Sequence, residues 1–327
     1  MRAAHALAAR CLRTYSSKFS RHDYTLPQLF ACLAVREQMR LSYRGAEALL
    51  RDGRSWCRAI GIKRKTPDHA TLHRAAGVLL SGRRLSRALD VLAEWFALAR
   101  LLGDTVALDS TCHDTHHRSR HYERRCRHYA PRGGGRSADA KRSATARRTP
   151  KLSLGVDTRS HVVLSARARA GMGSDAPSFG GLLFDAWRRR RGRALKAVLA
   201  DAGFDSEANH RMARHDMGVR SLIRAGVGRP SATAKPPAGR WRRRMARELA
   251  GPQKAKPFGQ RAQAETVMSM LKRNLGDALR ARSPRGRRAE HLFKAVVHNL
   301  MLAHPRSGGG SRQSRSDLKM RLTAMWK

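Results

Sequence analysis

Apolar residues in the first hundred positions recur with the spacing of helices. Thr25 and Pro27 open one apolar-periodic segment, residues 43–50 form another, and 66–68 read Thr-Pro-Asp, typical of a helix N-terminus with Thr66 as N-cap. Several short helices joined by glycine-containing turns are therefore expected over residues 25–100. This all-helical N-terminal domain would serve in DNA binding or dimerisation, and residues 1–24 are expected to be a basic N-terminal extension.

Beyond residue 104 the pattern changes to short β-rich segments. Strands are predicted at 105–108, 152–156, 161–165, 197–200 and 218–224. Helical patterns lie at 176–188 and 206–216, and a long helix starts near Arg261. The order of strands and helices predicts an α/β fold, a mixed sheet flanked by helices, over residues 101–304.

Three stretches fall outside this pattern. Residues 112–150 are rich in His, Arg and Gly, and residues 225–257 are rich in Pro and Arg, so both are expected to be basic insertions that form loops or short arms. Residues 305–327 begin with a Gly- and Ser-rich run and are expected to be a flexible C-terminal tail.

The net charge of the chain indicates which class of molecule it binds. Its 327 residues include 68 Lys and Arg against 24 Asp and Glu, a formal net charge of +44. Such a field attracts polyanions, so nucleic acid is the expected partner, with an affinity that falls steeply with salt. No apolar run reaches the length of a membrane span, and five cysteines without a CxxC pair favour a reducing, cytoplasmic compartment.

Few carboxylates are available, so those that follow strands are informative. Asp109 follows the strand in TVALDST, and Asp201 follows the one in KAVLADAGFDS. Carboxylates at such strand ends can meet in one crevice and bind a divalent metal. A turn or cap role remains the simpler interpretation for either residue alone. Asp205 is an alternative to Asp201, and Asp104 or Asp114 to Asp109.

The last predicted helix carries a polar stripe. Arg261, Glu265 and Lys272 lie on one face at the helical period. The apolar Val267, Met268, Leu271 and Leu275 fall on another sector, which would pack against the sheet. On spacing alone, an ordinary surface pair between Arg261 and Glu265 is the simpler interpretation.

Taken together, these motifs resemble a known family. LDST around Asp109, ADAGFDS around Asp201 and the final helix are similar to bacterial insertion-sequence transposases of the DDE class. The signature of these enzymes near the last acid is Y-(2)-R-(3)-E-(6)-K, and this chain has Phe258, Arg261, Glu265 and Lys272 at those spacings. The resemblance extends over roughly residues 25–304.

The resemblance implies an RNase H-like catalytic core. Asp109, Asp201 and Glu265 would be the catalytic residues and the ligands of Mg²⁺, for which Mn²⁺ could substitute. Two such ions would support in-line displacement at phosphorus. Arg261 and Lys272 would contact DNA phosphates. Phe258 would also bind DNA: it keeps the ring of the family's Tyr, which could stack on a base, and loses the hydroxyl contact to phosphate.

The same resemblance implies the biological context. The chain would bind double-stranded DNA, both the terminal inverted repeats of its element and the target DNA, and cut and transfer strands as a homodimer in a synaptic complex. It would be a bacterial cytoplasmic, nucleoid-associated protein without a membrane partner. A DNA-binding relic or repressor of transposition without catalysis is the alternative, and an RNA-binding basic protein is a third.

The first insertion contains seven potential zinc ligands: Cys112, His113, His116, His117, His121, Cys126 and His128. Their spacing matches no standard zinc finger, and a His-rich basic loop near DNA is the simpler interpretation. Trp187 and Trp241 lie beside arginines and could stack on bases or pack within the protein.

Overall fold

The computed structural model describes residues 1–117, 149–225, 238–251 and 256–303. The helices predicted in the first hundred residues are present. They are α1 (Arg2–Cys11), α2 (Leu26–Gln38), α3 (Tyr43–Asp52), α4 (Arg54–Arg58), α5 (His69–Leu79) and α6 (Gly82–Leu98). Thr25 and Gln28 form a reciprocal capping box at the start of α2. The N-cap of α5 is Asp68 rather than Thr66, because the Asp68 carboxylate accepts the Thr71 amide at 2.7 Å.

The N-terminal residues contain a helix that is part of the helical layer. In the segment expected as a basic extension, α1 buries Ala4, Leu7 and Ala8. It packs against α2 and α6. Its small and apolar side chains therefore extend the core, and its arginines remain at the surface.

The five predicted strands are present in one mixed sheet. The strands are β1 (Thr105–Cys112), β2 (Asp114–Thr115), β3 (Lys151–Asp157), β4 (Val163–Arg169), β5 (Ala197–Ala200), β6 (Arg220–Ile223) and β7 (Ala278–Leu279). The main sheet has the order β4-β3-β1-β5-β6, and β2 pairs with β7 apart from it. Strands β4, β3 and β1 are antiparallel, and β1, β5 and β6 are parallel.

Five helices accompany the sheet in the described residues. They are α7 (Phe179–Arg189), α8 (Glu207–Arg211), α9 (Arg240–Ala250), α10 (Ala262–Leu275) and α11 (Pro284–Ala303). Helix α10 buries Val267, Met268, Leu271 and Leu275 and packs against β1 and β3, as its pattern predicts. The mixed α/β architecture expected from the sequence is confirmed, and none of the described helices is long and apolar enough to cross a membrane.

The second basic insertion is partly helical, which corrects the expectation of a loop or arm. Residues 240–250 form α9 because Met245 is buried and the Glu207 carboxylate accepts the amides of Trp241 and Arg242 at 2.9 and 3.0 Å. A carboxylate at a helix N-terminus satisfies amides that have no partner within the helix. The tail after residue 303 lies outside the described residues.

Two of the four consecutive arginines at the end of α7, Arg189 and Arg190, are buried. Arg189 binds Asp90 of α6 at 2.6 Å and the Leu164 carbonyl of β4 at 2.7 Å. Arg190 pairs with Asp157 at 3.3 Å, and both side chains are almost fully enclosed. These arginines fasten α6 and α7 to the sheet.

A buried ion pair joins the helical layer to the end of α10. Lys294 of α11 donates to the Leu275 and Gly276 carbonyls at the C-terminus of α10, and its Nζ lies 3.2 Å from the Glu37 carboxylate of α2. Burial raises the pKa of Glu37, and the positive charge of Lys294 opposes this shift. The lysine therefore compensates a buried carboxylate and caps α10 at once.

Removing this lysine should destabilise the protein. We expect Lys294→Met to lower the free energy of unfolding by up to roughly 3 to 5 kcal/mol, because buried Glu37 loses its closer cation and keeps, among the described residues, only the ion pair with Arg36, at 3.6 Å. Adding Glu37→Gln should restore part of the loss. Urea denaturation of the two variants tests this, and a double variant no more stable than Lys294→Met would contradict it.

Candidate active site

The register of the sheet brings the first two candidate acids together. Leu108 of β1 lies opposite Ala200 of β5 in the parallel pairing, so Asp109 and Asp201 are the next residues on neighbouring strands. The sequence predicted that β1 ends at residue 108. The strand instead continues to Cys112, with Asp109 opposite Leu154 of β3, because the antiparallel pairing extends further than the parallel one.

Asp109 is largely buried and lies close to several charged groups. Its Oδ1 accepts the Ser110 amide at 2.7 Å. Burial raises the pKa of the Asp109 carboxyl, and the negative charges of Glu265 and Asp201 raise it further. The Ser110 amide and the positive charge of Arg261 act in the opposite direction. The charges of Glu265 and Asp201 are therefore both close enough to Asp109 to act on its ionisation.

Arg261 lies between two of these carboxylates. It precedes α10 in a 3₁₀ turn, Lys256–Arg261, and its Nη2 is 2.6 Å from Glu265 Oε1. Because Arg261 also acts on Asp109, this guanidinium compensates part of the negative charge of the cluster. The surface-pair interpretation is correct as geometry, but the pair lies beside Asp109 rather than on an unrelated face.

The alternative acids have other partners. Asp205 is buried, with Arg242 at 2.6 Å and His210 at 3.3 Å. Asp104 precedes β1, at the end of the strand away from Cys112, and pairs with Lys196 at 3.0 Å. Asp114 accepts the Thr115 amide at 2.8 Å in β2. By contrast, Asp201 is exposed and follows β5 directly.

The remaining candidates from the signature occupy different surroundings. The positive charge of Lys272 acts on Cys112 and His113, so this lysine lies towards the C-terminal end of β1. Phe258 is half-buried and packs against the core, and the guanidinium carbon of Arg224 lies 5.9 Å from its ring centroid. The Phe258 ring therefore already has protein contacts on the side of Arg224.

A polar network next to Asp109 was not anticipated from the sequence. Asp175 precedes α7 by a short turn, and its Oδ1 accepts from Ser110 Oγ at 2.6 Å and lies 2.7 Å from Lys151 Nζ. A Cβ on Gly203, two residues after Asp201, would lie 3.1 Å from Asp175 Oδ2. Asp175 thus contacts both the β1 segment and the turn after β5. Neither spacing nor periodicity marks this loop aspartate.

The described members of the considered zinc cluster are dispersed. His113 is buried with its ring centroid 4.6 Å from that of His291, and neither ring has a hydrogen-bond partner in the described residues. His117 Nε2 lies 2.9 Å from the Arg280 carbonyl, to which it donates. The other three, His121, Cys126 and His128, lie outside the described residues.

Comparison with known proteins adds the family. A family model described as "Transposase DDE domain" matches residues 101–300, more than half of the chain. The chain belongs to this family of DDE transposases. No curated protein and no solved structure matches it.

Transposases of this family typically use divalent metal ions, and the donor set of this chain fits them in chemistry. The carboxylates of Asp109, Asp201 and Glu265 are hard oxygen donors of the kind that bind Mg²⁺ and Mn²⁺. Over the described ranges, no three His, Cys, Asp or Glu side chains are close enough to hold one ion jointly. Glu265 is engaged with Arg261 instead, so metal binding would require this pair to separate.

The electrostatics of Asp109 predict a gain of stability on its neutralisation. The pKa of Asp109 is raised in the folded protein, so the folded state binds the proton more tightly than the unfolded state does. The free energy of unfolding therefore falls as the pH rises from the pKa of the unfolded state through that of the folded state. Asp109→Asn should therefore raise the free energy of unfolding of the metal-free transposase at neutral pH. Urea denaturation in EDTA measures this.

The matched control is Asp157→Asn. That carboxylate pairs with buried Arg190 at 3.3 Å, so its neutralisation should lower stability under the same conditions. If Asp109→Asn were less stable than the wild type, the proposed crowding of negative charge around Asp109 would be wrong.

The buried histidines predict sensitivity to acid. Burial lowers the pKa of His113 to about 3 and that of His291 to about 2. Histidine in an unfolded chain titrates near pH 6.5, so below that pH the unfolded state binds protons that the folded state does not bind. Stability should fall by up to about 1.4 kcal/mol per pH unit for each histidine.

A pH series of urea denaturation curves measures this slope. His291→Phe keeps an aromatic ring against His113 and removes one titrating group, so its stability should depend less steeply on pH. An unchanged slope in this variant would contradict the assignment of acid sensitivity to the histidine pair.

Proposed function

We propose that this chain is the transposase of a bacterial insertion sequence that binds the terminal inverted repeats of its element, cleaves DNA there and joins the ends to target DNA. The observation that carries the proposal is the convergence of Asp109 and Asp201 on adjacent parallel strands, with Glu265 of α10 acting on the same carboxyl group.

The proposed catalytic core is RNase H-like. An antiparallel β4-β3-β1 unit continued by parallel β5 and β6 supports this assignment. Within it, Asp109, Asp201 and Glu265 would hold Mg²⁺, with Mn²⁺ as a substitute. When bound, the metal activates the attacking water or 3′-hydroxyl and stabilises the leaving oxygen.

The basic residues of the signature would bind phosphate groups of the DNA. Arg261 pairs with Glu265 in the metal-free protein. If Glu265 bound a metal ion, the Arg261 guanidinium would be free to bind phosphate oxygens beside the scissile bond through two parallel hydrogen bonds. Lys272, towards the C-terminal end of β1, would contact a neighbouring phosphate as a point charge. Phe258, whose ring lies beside Arg224, would contribute to DNA binding by stacking on a base.

The remaining parts of the proposal concern assembly. Residues 25–100 would bind DNA or mediate dimerisation, and a homodimer would hold two element ends in a synaptic complex. We place this transposase in the bacterial cytoplasm, associated with the nucleoid. The net charge of +44 supports a location on nucleic acid.

Cleavage of a labelled duplex that carries the element's terminal repeat tests the function. Wild type should nick the repeat end with Mg²⁺ or Mn²⁺ and not with EDTA. Glu265→Gln should bind the duplex equally well and cut it slower by roughly 10² to 10³-fold or more, the scale for loss of one group that stabilises a transition state.

Glu94→Gln is the matched control, because the ion pairs of Glu94 within the described part of the chain are with the exposed Arg10 and Arg191. It should cut at the wild-type rate. If the wild type and both variants bind the repeat but none cuts it, the chain is a DNA-binding relic or repressor, and the enzymatic proposal fails.

A further inference from the structure

Helix α9 has a face of arginines that the proposed chemistry does not use. Arg240, Arg243, Arg244 and Arg247 lie at offsets of three, four and seven residues, which places them on one side of a helix. All four side chains are exposed. We call this group the α9 arginine face.

The opposite side of α9 is fixed to the catalytic domain. Arg242 binds Asp205 through two nitrogens, with the shortest contact at 2.6 Å. Glu248 accepts from Arg214 at 2.8 Å and from Arg220 at 3.0 Å. Although burial opposes ionisation of Glu248, these hydrogen bonds lower its pKa to about 2. The inner charges of α9 are thus compensated within the protein.

The arginines of the α9 arginine face have fewer acidic partners than the charged residues on the inner side of α9. Arg244 reaches Glu248 at 3.2 Å, and Arg240 lies over the Trp241 ring with its guanidinium carbon 5.1 Å from the ring centroid. Arg243 and Arg247 have no ion pair in the described residues. Both arginines project from a helix whose position is set by its other side, so they are pre-organised for an external anion.

The regular spacing of these arginines, on a helix anchored at its other side, favours a polyanion with regularly spaced charges. Guanidinium groups bind phosphate oxygens through two parallel hydrogen bonds. A duplex backbone offers such phosphates along the length of a helix, and side chains of this kind set the position of a protein on DNA without reading its sequence.

The attachment of α9 relates this face to the candidate active site. Asp205, which Arg242 binds, lies four residues after Asp201 in the same connection after β5. A duplex held on α9 would therefore have a fixed position relative to the turn that carries Asp201. We propose that the α9 arginine face binds backbone phosphates of duplex DNA and sets the path of the DNA past the carboxylates. This inference rests on the proposed function.

The salt dependence of binding tests the proposal. Each phosphate contact contributes about 0.9 to the slope of log K against log salt concentration on duplex DNA. In the full chain carrying Glu265→Gln, which binds without cutting, Arg243→Gln with Arg247→Gln should reduce the slope for a labelled mixed-sequence duplex by about 2.

The matched control is Arg285→Gln with Arg288→Gln, which removes the same charge from exposed positions on α11. Its slope should change by less than half as much. An equal change in both double variants, or none in the α9 variant, would overturn the proposal. So would a loss of affinity confined to a single-stranded RNA of the same length.

This test is independent of cleavage. If the α9 variant loses duplex affinity while the wild type fails to cut with Mg²⁺, the proposed enzymatic function fails and the binding face stands. If the wild type cuts and the α9 variant keeps its slope, the binding face fails alone. Circular dichroism of each variant confirms that the fold is retained.

Discussion

The concentration of negative charge around Asp109 is the constraint on which the site depends. Asp109 lies on the central strand β1, where burial and the charges of Glu265 and Asp201 all disfavour its ionised form. The Ser110 amide and Arg261 offset only part of this cost. A divalent cation bound at the proposed site would offset this repulsion through the same oxygen atoms.

Glu265 contributes to this cluster only if α10 is held in place. The apolar side of α10 packs against β1 and β3, and Lys294 caps its C-terminus while pairing with Glu37 of the helical layer. The helices of the N-terminal region are therefore part of the support of the site, because they fix the helix that carries Glu265.

Much of this arrangement follows from local sequence patterns, and the rest depends on long-range partners. Runs of apolar residues predicted all five strands of the main sheet, and helical periodicity predicted the buried side of α10. The end of β1 could not be read from its own residues, because the pairing with β3 extends it. Helix α9 forms in an Arg-rich segment because Glu207 and Asp205 bind it from another part of the chain, and Asp175 joins the site through contacts that no motif records.

Iron-directed cleavage of the polypeptide tests most directly whether the three carboxylates form one metal site. With Fe²⁺ in place of Mg²⁺, ascorbate and peroxide generate radicals that cut the backbone next to the bound ion. The account predicts cuts near residues 109, 201 and 265 together, all of which disappear in Asp109→Asn and on addition of excess Mg²⁺. Cuts centred on His113, His116 and His117, or a pattern that persists unchanged in Asp109→Asn, would contradict it.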